Sequence, residues 1–147
     1  MKRIKQSTRR EDGAAAVEFA LISGVLAMLL FGMLQFGLAF FEIQNLRAAA
    51  REGSRIGAVG ASEDDVRQRV EEASYESIPA DNAAIVLETC PPEPEPEDSY
   101  NSYTVSIDID PANPALPGRL QDIFTVDIPF VPPIVINTSV EGQFRCE

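Results

Sequence analysis

The chain lacks histidine altogether, and only two of its 147 residues are cysteines. Histidine is the commonest general base in enzymes and the commonest protein ligand for transition metals, so its absence argues against both functions. The two cysteines, Cys90 and Cys146, are too far apart for a CxxC redox or zinc motif. Asp108 and Asp110 form the nearest acid pair, but alternation along a strand places both on one exposed face. We expect no enzyme, no metal and no cofactor.

Basic residues are also scarce, with 12 lysines and arginines against 23 acidic residues and a net charge of -11. This charge is unevenly distributed along the chain. The segment up to Phe41 has five basic and three acidic residues, a net charge of +2, whereas the remainder has seven and twenty, a net charge of -13. Because an acidic domain repels phosphate, we exclude nucleic acid as a partner.

Formal charges are absent from a run of 23 residues, 19–41, that is rich in Leu, Phe, Ala and Met. As a helix this run rises roughly 35 Å, enough to cross a hydrocarbon core of about 30 Å. It predicts one transmembrane helix in contact with membrane lipid. The five basic residues before it predict a cytoplasmic N-terminus and an exported acidic remainder. Conventional signal cleavage at residues 48–50 is the alternative, but that site lies well beyond the apolar run.

A separate pattern precedes the apolar run, in the sequence GAAAVEF that begins at Gly13. A basic leader ends at this glycine, small residues follow, and Glu18 lies five positions later, just inside the apolar segment. An ionisable side chain within a membrane helix is costly and usually has a partner. Removal of the leader after Gly13 would create an α-amine on Ala14 that could pair with Glu18 of the same or the next subunit and fix the register of packed helices. The alternative is that Glu18 extends to the headgroups and stays hydrated.

These residues resemble the processing site of type IV pilin-like proteins, in which a prepilin peptidase cuts after the glycine and leaves glutamate as the fifth mature residue. Glu18 and Phe19 resemble the Glu-aromatic pair of the tight-adherence (Flp/Tad) branch. The most specific match is AAREGSR, which is similar to the AAREGAR signature of the TadE-like family. Its residues are Ala49, Ala50, Arg51, Glu52, Gly53, Ser54 and Arg55. The resemblance covers residues 13–60 and departs from the family at residues 23 and 24, where many relatives carry proline.

The resemblance implies a minor pilin or pseudopilin of a tight-adherence pilus or secretion system. It implies a bacterial cell membrane as the location, with entry into an extracellular filament. The implied partners are other pilin subunits, the pilus assembly platform and a prepilin peptidase. Gly13 and Ala14 would flank the processing site, and Glu18 and Phe19 would set the subunit register.

The segment after the apolar run, residues 41–58, contains no proline and can continue the helix outward. Ala50, Gly53 and Gly57 recur at helical spacing, so one face of this helix carries only small side chains. Small faces permit close approach of another backbone, and we predict a packing surface here. The alternative is that the glycines merely weaken and end the helix.

Arg47, Arg51 and Arg55 recur every four residues and form a basic ridge on the same segment. On so acidic a chain, this ridge is expected to pair with acidic residues of the same chain or of a neighbour. The alternative is that the three arginines are simply hydrated. Exposed ion pairs contribute little stability, so the ridge is interpreted as a recognition feature.

The remainder of the sequence predicts a small α+β head. Ser62 followed by three acids indicates a helix start, and apolar spacing extends this helix over residues 62–77. Apolar or alternating runs predict strands at 83–90, 103–109, 124–130 and 134–146. Pro129 indicates an edge strand. The predicted fold class is therefore α+β, with one short helix on an antiparallel sheet of three or four strands.

The head also contains a cysteine pair and a loop rich in proline and acidic residues. A disulfide between Cys90 and Cys146 would tie the first and last strands together in an oxidising compartment, and two separate buried thiols are the alternative. Residues 91–99 (PPEPEPEDS) form a proline-acid loop. This loop is predicted not to bind calcium, because its alternating prolines prevent the backbone from wrapping tightly around an ion. The acidic residues of that loop are Glu93, Glu95, Glu97 and Asp98.

The sequence thus predicts a cytoplasmic leader over residues 1–13, a transmembrane and extended helix over 14–60, and an exported head over 61–147. The leading function is assembly into a pilus or secretion filament through the N-terminal helix. The competing function is a signal-anchored envelope protein whose exported domain binds a partner or ligand without entering a filament.

Overall fold

The structure is a computed structural model that describes residues 9–90, 101–127 and 132–146. Three helices are present in these ranges: α1 (Arg9–Ala58), α2 (Glu63–Ala73) and α3 (Gly118–Phe124). Five strands accompany them: β1 (Ile85–Glu88), β2 (Ser102–Ile109), β3 (Thr125–Val126), β4 (Ile134–Val135) and β5 (Thr138–Arg145). The predicted class, a long N-terminal apolar helix followed by a small α+β head, is confirmed.

The chain divides into two compact units, with the boundary between Gly37 and Leu38. In the first unit, the large apolar side chains of α1 are 50–73% exposed, on every side of the helix. A helix that is apolar all round and unburied suits a hydrocarbon environment. Within the described residues, one helical stretch, Gly13–Ala58, is long and apolar enough to cross a membrane. The division into leader, extended helix and head stays a prediction.

In the second unit, three strands form an antiparallel sheet in the order β1-β2-β5. The central strand β2 alternates as predicted: Tyr103, Val105, Ile107 and Ile109 are all buried on one face. The register pairs Ile85 with Ile107, and Val105 with Gly142. Because side chains alternate between faces along a strand, this register gathers the apolar residues into one core.

Helix α2 begins where the sequence predicts but ends earlier. The Ser62 side chain accepts a hydrogen bond from the Asp65 backbone N–H at 3.2 Å and caps the first turn. Val66 and Val70 are completely buried on the inward face. The helix stops at Ala73 rather than at residue 77, because Tyr75 and Glu76 adopt left-handed conformations with φ of 54° and 59°.

The C-terminal third differs most from the expectation. The segment after the strand predicted at 103–109 contains Pro111, Pro114 and Pro117 and was expected to be a connection, but it contains a helix, α3, whose Leu120 and Phe124 are fully buried. Of the strand predicted over 124–130, the described part contains the end of α3 at Phe124 and the short strand β3, whereas residues 128–130, with Pro129, lie outside the described residues. The long last strand is interrupted: β4 pairs with β3 in a separate two-stranded sheet, and β5 joins the main sheet. The calcium prediction for the proline-acid loop also lies outside the described residues.

Candidate functional site

The small-residue face of α1 packs inside the second unit. Ala49, Ala50 and Ser54 are 0% exposed, and Gly53 and Gly57 are buried beside them. Residues three and four apart share one face of a helix, so these positions form one continuous stripe. The stripe therefore contacts the head's own sheet and α2, which explains why the signature segment contains almost no large side chain on this side.

Three glycines mark the closest approaches around this stripe. A Cβ on Gly142 of β5 would collide with the backbone of Ala50 and Arg51. A Cβ on Gly53 would lie 2.6 Å from Cγ2 of Val70, and one on Gly57 would lie 2.5 Å from the Tyr103 ring. Cβ contacts this short do not occur in folded proteins, so glycine is required for α1 to lie against β5 at this distance. Gly142 and Tyr103 were not identified as site residues, although a glycine inside a strand is a known sign of close backbone approach.

The stripe starts before the apolar run ends. Ala39 is 2% exposed and Leu46 is 0% exposed, and Glu42 between them is 1% exposed. The Glu42 Oε1 atom has no hydrogen-bond partner in the described part of the chain. Buried carboxylates are uncommon because desolvation disfavours them, so Glu42 is a site residue that sequence reasoning missed. The sequence did contain one indication: Ala39, Glu42 and Leu46 are three and four residues apart and therefore lie on the same face of the helix.

Glu52 is the centre of a charge network that links α1 to α2. Its Oε1 lies 2.9 Å from Nη2 of Arg55 and 3.0 Å from Nη2 of Arg69, and Arg69 also approaches Glu72 at 3.3 Å. Hydrogen bonds donated by Arg55 and Arg69, with their positive charges, lower the pKa of Glu52 from 4.5 to about 2. The same hydrogen bonds raise the pKa of both arginines.

The basic ridge therefore divides into two parts. Arg55 pairs within its own chain, as one of the two sequence interpretations expected. Arg47 and Arg51 are exposed and make no side-chain hydrogen bond or ion pair with any other residue in the described ranges. Two guanidinium groups on one face of α1 thus remain available to an external partner.

The residues predicted for processing and register lie on the exposed N-terminal part of α1. Gly13 and Ala14 are inside the helix, which begins at Arg9, and nothing lies within 4 Å of a Cβ placed on Gly13. Glu18 is exposed, and Phe19 is 73% exposed. These four residues and the signature segment occupy different units of the chain, and their roles in processing and register stay predictions.

The predicted disulfide is present. Cys90, just after β1, is bonded to Cys146, just after β5, with their Cα atoms 6.0 Å apart. The backbone N–H of Cys146 also donates to the carbonyl of Asn101 at 3.0 Å, which extends the pairing of β2 with β5 by one residue. No cluster of His, Cys, Asp or Glu suited to a metal ion occurs among the described residues.

A long helix with an exposed apolar N-terminal part that continues into a small disulfide-bonded α+β unit is typical of a membrane-anchored protein. Comparison with known families identifies the N-terminal part more closely: residues 13–55 match the family described as TadE-like protein. Neither a curated protein nor a solved structure matches the chain. The matched segment includes Gly13, Glu18 and the whole of AAREGSR, so the resemblance is confirmed over those residues. The family indicates a Tad pilus-associated protein, and this family is not known as enzymatic.

Proposed function

We propose that this protein is a minor pilin or pseudopilin that joins a tight-adherence pilus or secretion filament through α1. The observation that carries the proposal is the family match over residues 13–55, whose N-terminal part, up to Gly37, falls on a helix with apolar side chains exposed on all sides. The helix first anchors the chain in the bacterial cell membrane, with the N-terminus cytoplasmic and the head exported. It then packs among the N-terminal helices of other pilin subunits.

In this proposal a prepilin peptidase cuts between Gly13 and Ala14, and the assembly platform receives the processed chain. The free α-amine of Ala14 pairs with Glu18 of its own or the adjacent subunit. Burial of an isolated carboxylate in hydrocarbon costs about 2.5 kcal/mol or more, so a helix array in which each Glu18 meets an amine is favoured over one shifted in register. Phe19 lies beside this pair on the exposed surface that neighbouring helices would cover.

The sequence offers a sharp test of processing. Lys2 and Lys5 are the only lysines in the chain, and both precede Gly13. After cleavage, the α-amine of Ala14 is therefore the sole primary amine of the protein. We expect protein purified from its native membrane to begin at Ala14 and to accept one amine-reactive label, and both properties should disappear in cells without the peptidase. A chain that keeps Met1 in both strains would contradict processing and favour a signal anchor whose head binds an envelope partner.

Glu18→Gln tests the register mechanism separately. The variant should be processed and inserted normally, but its amount in sheared filament fractions should fall about ten-fold or more, since the amide cannot neutralise the α-amine. Glu88→Gln, an exposed glutamate on β1, removes the same charge from the head and should leave incorporation unchanged. Equal incorporation of Glu18→Gln and wild type would contradict the register role, whatever the outcome of the cleavage experiment.

A further inference from the structure

Two arginines of α1, Arg47 and Arg51, have no role in the fold of the described residues or in the proposed filament contacts. Arg47 and Arg51 lie one turn apart on the same exposed face of α1, six and ten residues beyond Phe41, the last residue of the apolar run. Neither makes an ion pair with a described residue, whereas Arg55, the next in the ridge, is held by Glu52 at 2.9 Å. The available positive charge is therefore confined to the part of the ridge closest to the apolar run.

The opposite face of the same turns is covered by the head. Ala39, Glu42 and Leu46 are at most 2% exposed, while Phe40 and Phe41 are 63% and 59% exposed. Within the second unit, which starts at Leu38, this part of α1 is thus already covered on one face from Ala39 onward. The arginines are left on the uncovered side, next to apolar residues that suit a bilayer.

Helix geometry places the two guanidinium groups near lipid headgroups. With a rise of 1.5 Å per residue, the Cα atoms of Arg47 and Arg51 lie about 9 Å and 15 Å beyond that of Phe41. Helical side chains point back toward the N-terminus, and an extended arginine spans about 6 Å, so both groups return toward the level of Phe41. The headgroup region of each leaflet is about 5–7 Å thick. The Arg47 guanidinium, about 3 Å beyond the level of Phe41, lies within this layer, and the Arg51 guanidinium, about 9 Å beyond it, lies roughly 2 Å outside the layer.

We propose that Arg47 and Arg51 bind the phosphate groups of anionic phospholipids at the surface where α1 leaves the bilayer. This rests on the proposed membrane anchoring of α1. Arginine presents a planar fork of N–H donors that matches two phosphate oxygens, and paired donors one helical turn apart can share one headgroup or hold two. The rest of the sequence after Phe41 is strongly acidic, so an anionic surface repels the head. The two arginines offset that repulsion at the point of closest approach.

The experiment uses the full chain in a neutral detergent, titrated with phosphatidylglycerol or with phosphatidylcholine and analysed by native mass spectrometry. Each Arg→Gln change at position 47 or 51 should raise the Kd for phosphatidylglycerol about five-fold. The Kd for phosphatidylcholine should change much less. The double variant R47K/R51K keeps both charges but lacks the planar fork, so its Kd for phosphatidylglycerol should lie between those of the wild type and R47Q/R51Q.

Arg119→Gln is the matched control, because Arg119 is exposed on α3 and its loss changes net charge equally. An unchanged Kd in R47Q/R51Q, or an equal loss in Arg119→Gln, would overturn the proposal. Displacement of the lipid by soluble glycerol phosphate at equal concentration would also overturn it, since that would indicate a site for free phosphate.

Resistance of the native protein to alkaline carbonate extraction tests membrane anchoring independently. A protein that is extracted would refute both the anchor and the lipid site. A protein that resists extraction but whose R47Q/R51Q variant has an unchanged Kd would refute only the lipid site.

Discussion

At the residue scale, Gly142 decides how closely α1 can approach the sheet. Replacement by alanine would place a methyl group against the backbone of Ala50 and Arg51, which cannot move aside as a flexible side chain can. Overpacking of this kind usually costs 1–3 kcal/mol and more where backbone must shift, so we expect Gly142→Ala to lower the free energy of unfolding by about 3 kcal/mol. Denaturant unfolding of the full chain in detergent measures this. In Gly118→Ala the added Cβ has no neighbour within 4 Å, so this variant should unfold at the same denaturant concentration as the wild type or at a slightly higher one.

Glu52 supplies a second prediction at this scale. Because its pKa is lowered from 4.5 to about 2, its ionised form stabilises the fold above pH 4.5, and this contribution is lost as the pH falls from 4.5 toward 2. Glu52→Gln should therefore have a lower free energy of unfolding than the wild type at pH 7, and the two free energies should become equal near pH 2. The difference will be small, since Arg55 and Arg69 are 53% and 45% exposed. Thermal unfolding across pH measures it, and a constant difference from pH 7 to pH 2 would be inconsistent with this role.

At the scale of whole elements, the sequence predicted those with an unbroken periodic signal. The apolar run could only form a long helix, and the alternation of YTVSIDI was enough to place β2. Helix α3 was missed because it has seven residues and follows Pro114 and Pro117, which suggested an open loop. Its only sign was the spacing of Leu120 and Phe124, four residues apart, and such a pair occurs often by chance.

Packing partners could not be predicted for a different reason. The small stripe on α1 indicated close packing, but the sequence does not specify whether a neighbouring helix or the chain's own sheet fills that space. The answer depends on Gly142 and Tyr103, which are far from the stripe in sequence and reach it only through the β2–β5 register. Likewise, the partner of Glu52 on α2, Arg69, could be identified only once the two helices were placed side by side.

At the scale of the whole molecule, the disulfide supports a head with a limited core. The bridge joins residues 56 positions apart, and the chain-entropy estimate for a loop of that size is about 4 kcal/mol. We expect C90S/C146S, or the wild type after reduction, to lose about this amount of unfolding free energy. Small domains depend strongly on such bridges, so the double variant should also accumulate to a lower level in cells. A loss below about 1 kcal/mol would indicate that the denatured chain is already compact.

The bridge also limits how far the protein can be stretched. Fully extended, the chain between Cys90 and Cys146 would span about 190 Å, at roughly 3.4 Å per residue. While the bond is intact, a load applied between α1 and the C-terminus cannot lengthen this portion. Only the residues before Cys90 can then be pulled into an extended conformation, so the oxidised head can lengthen by a limited amount. When the bond is reduced, the strands between the two cysteines can be extended as well.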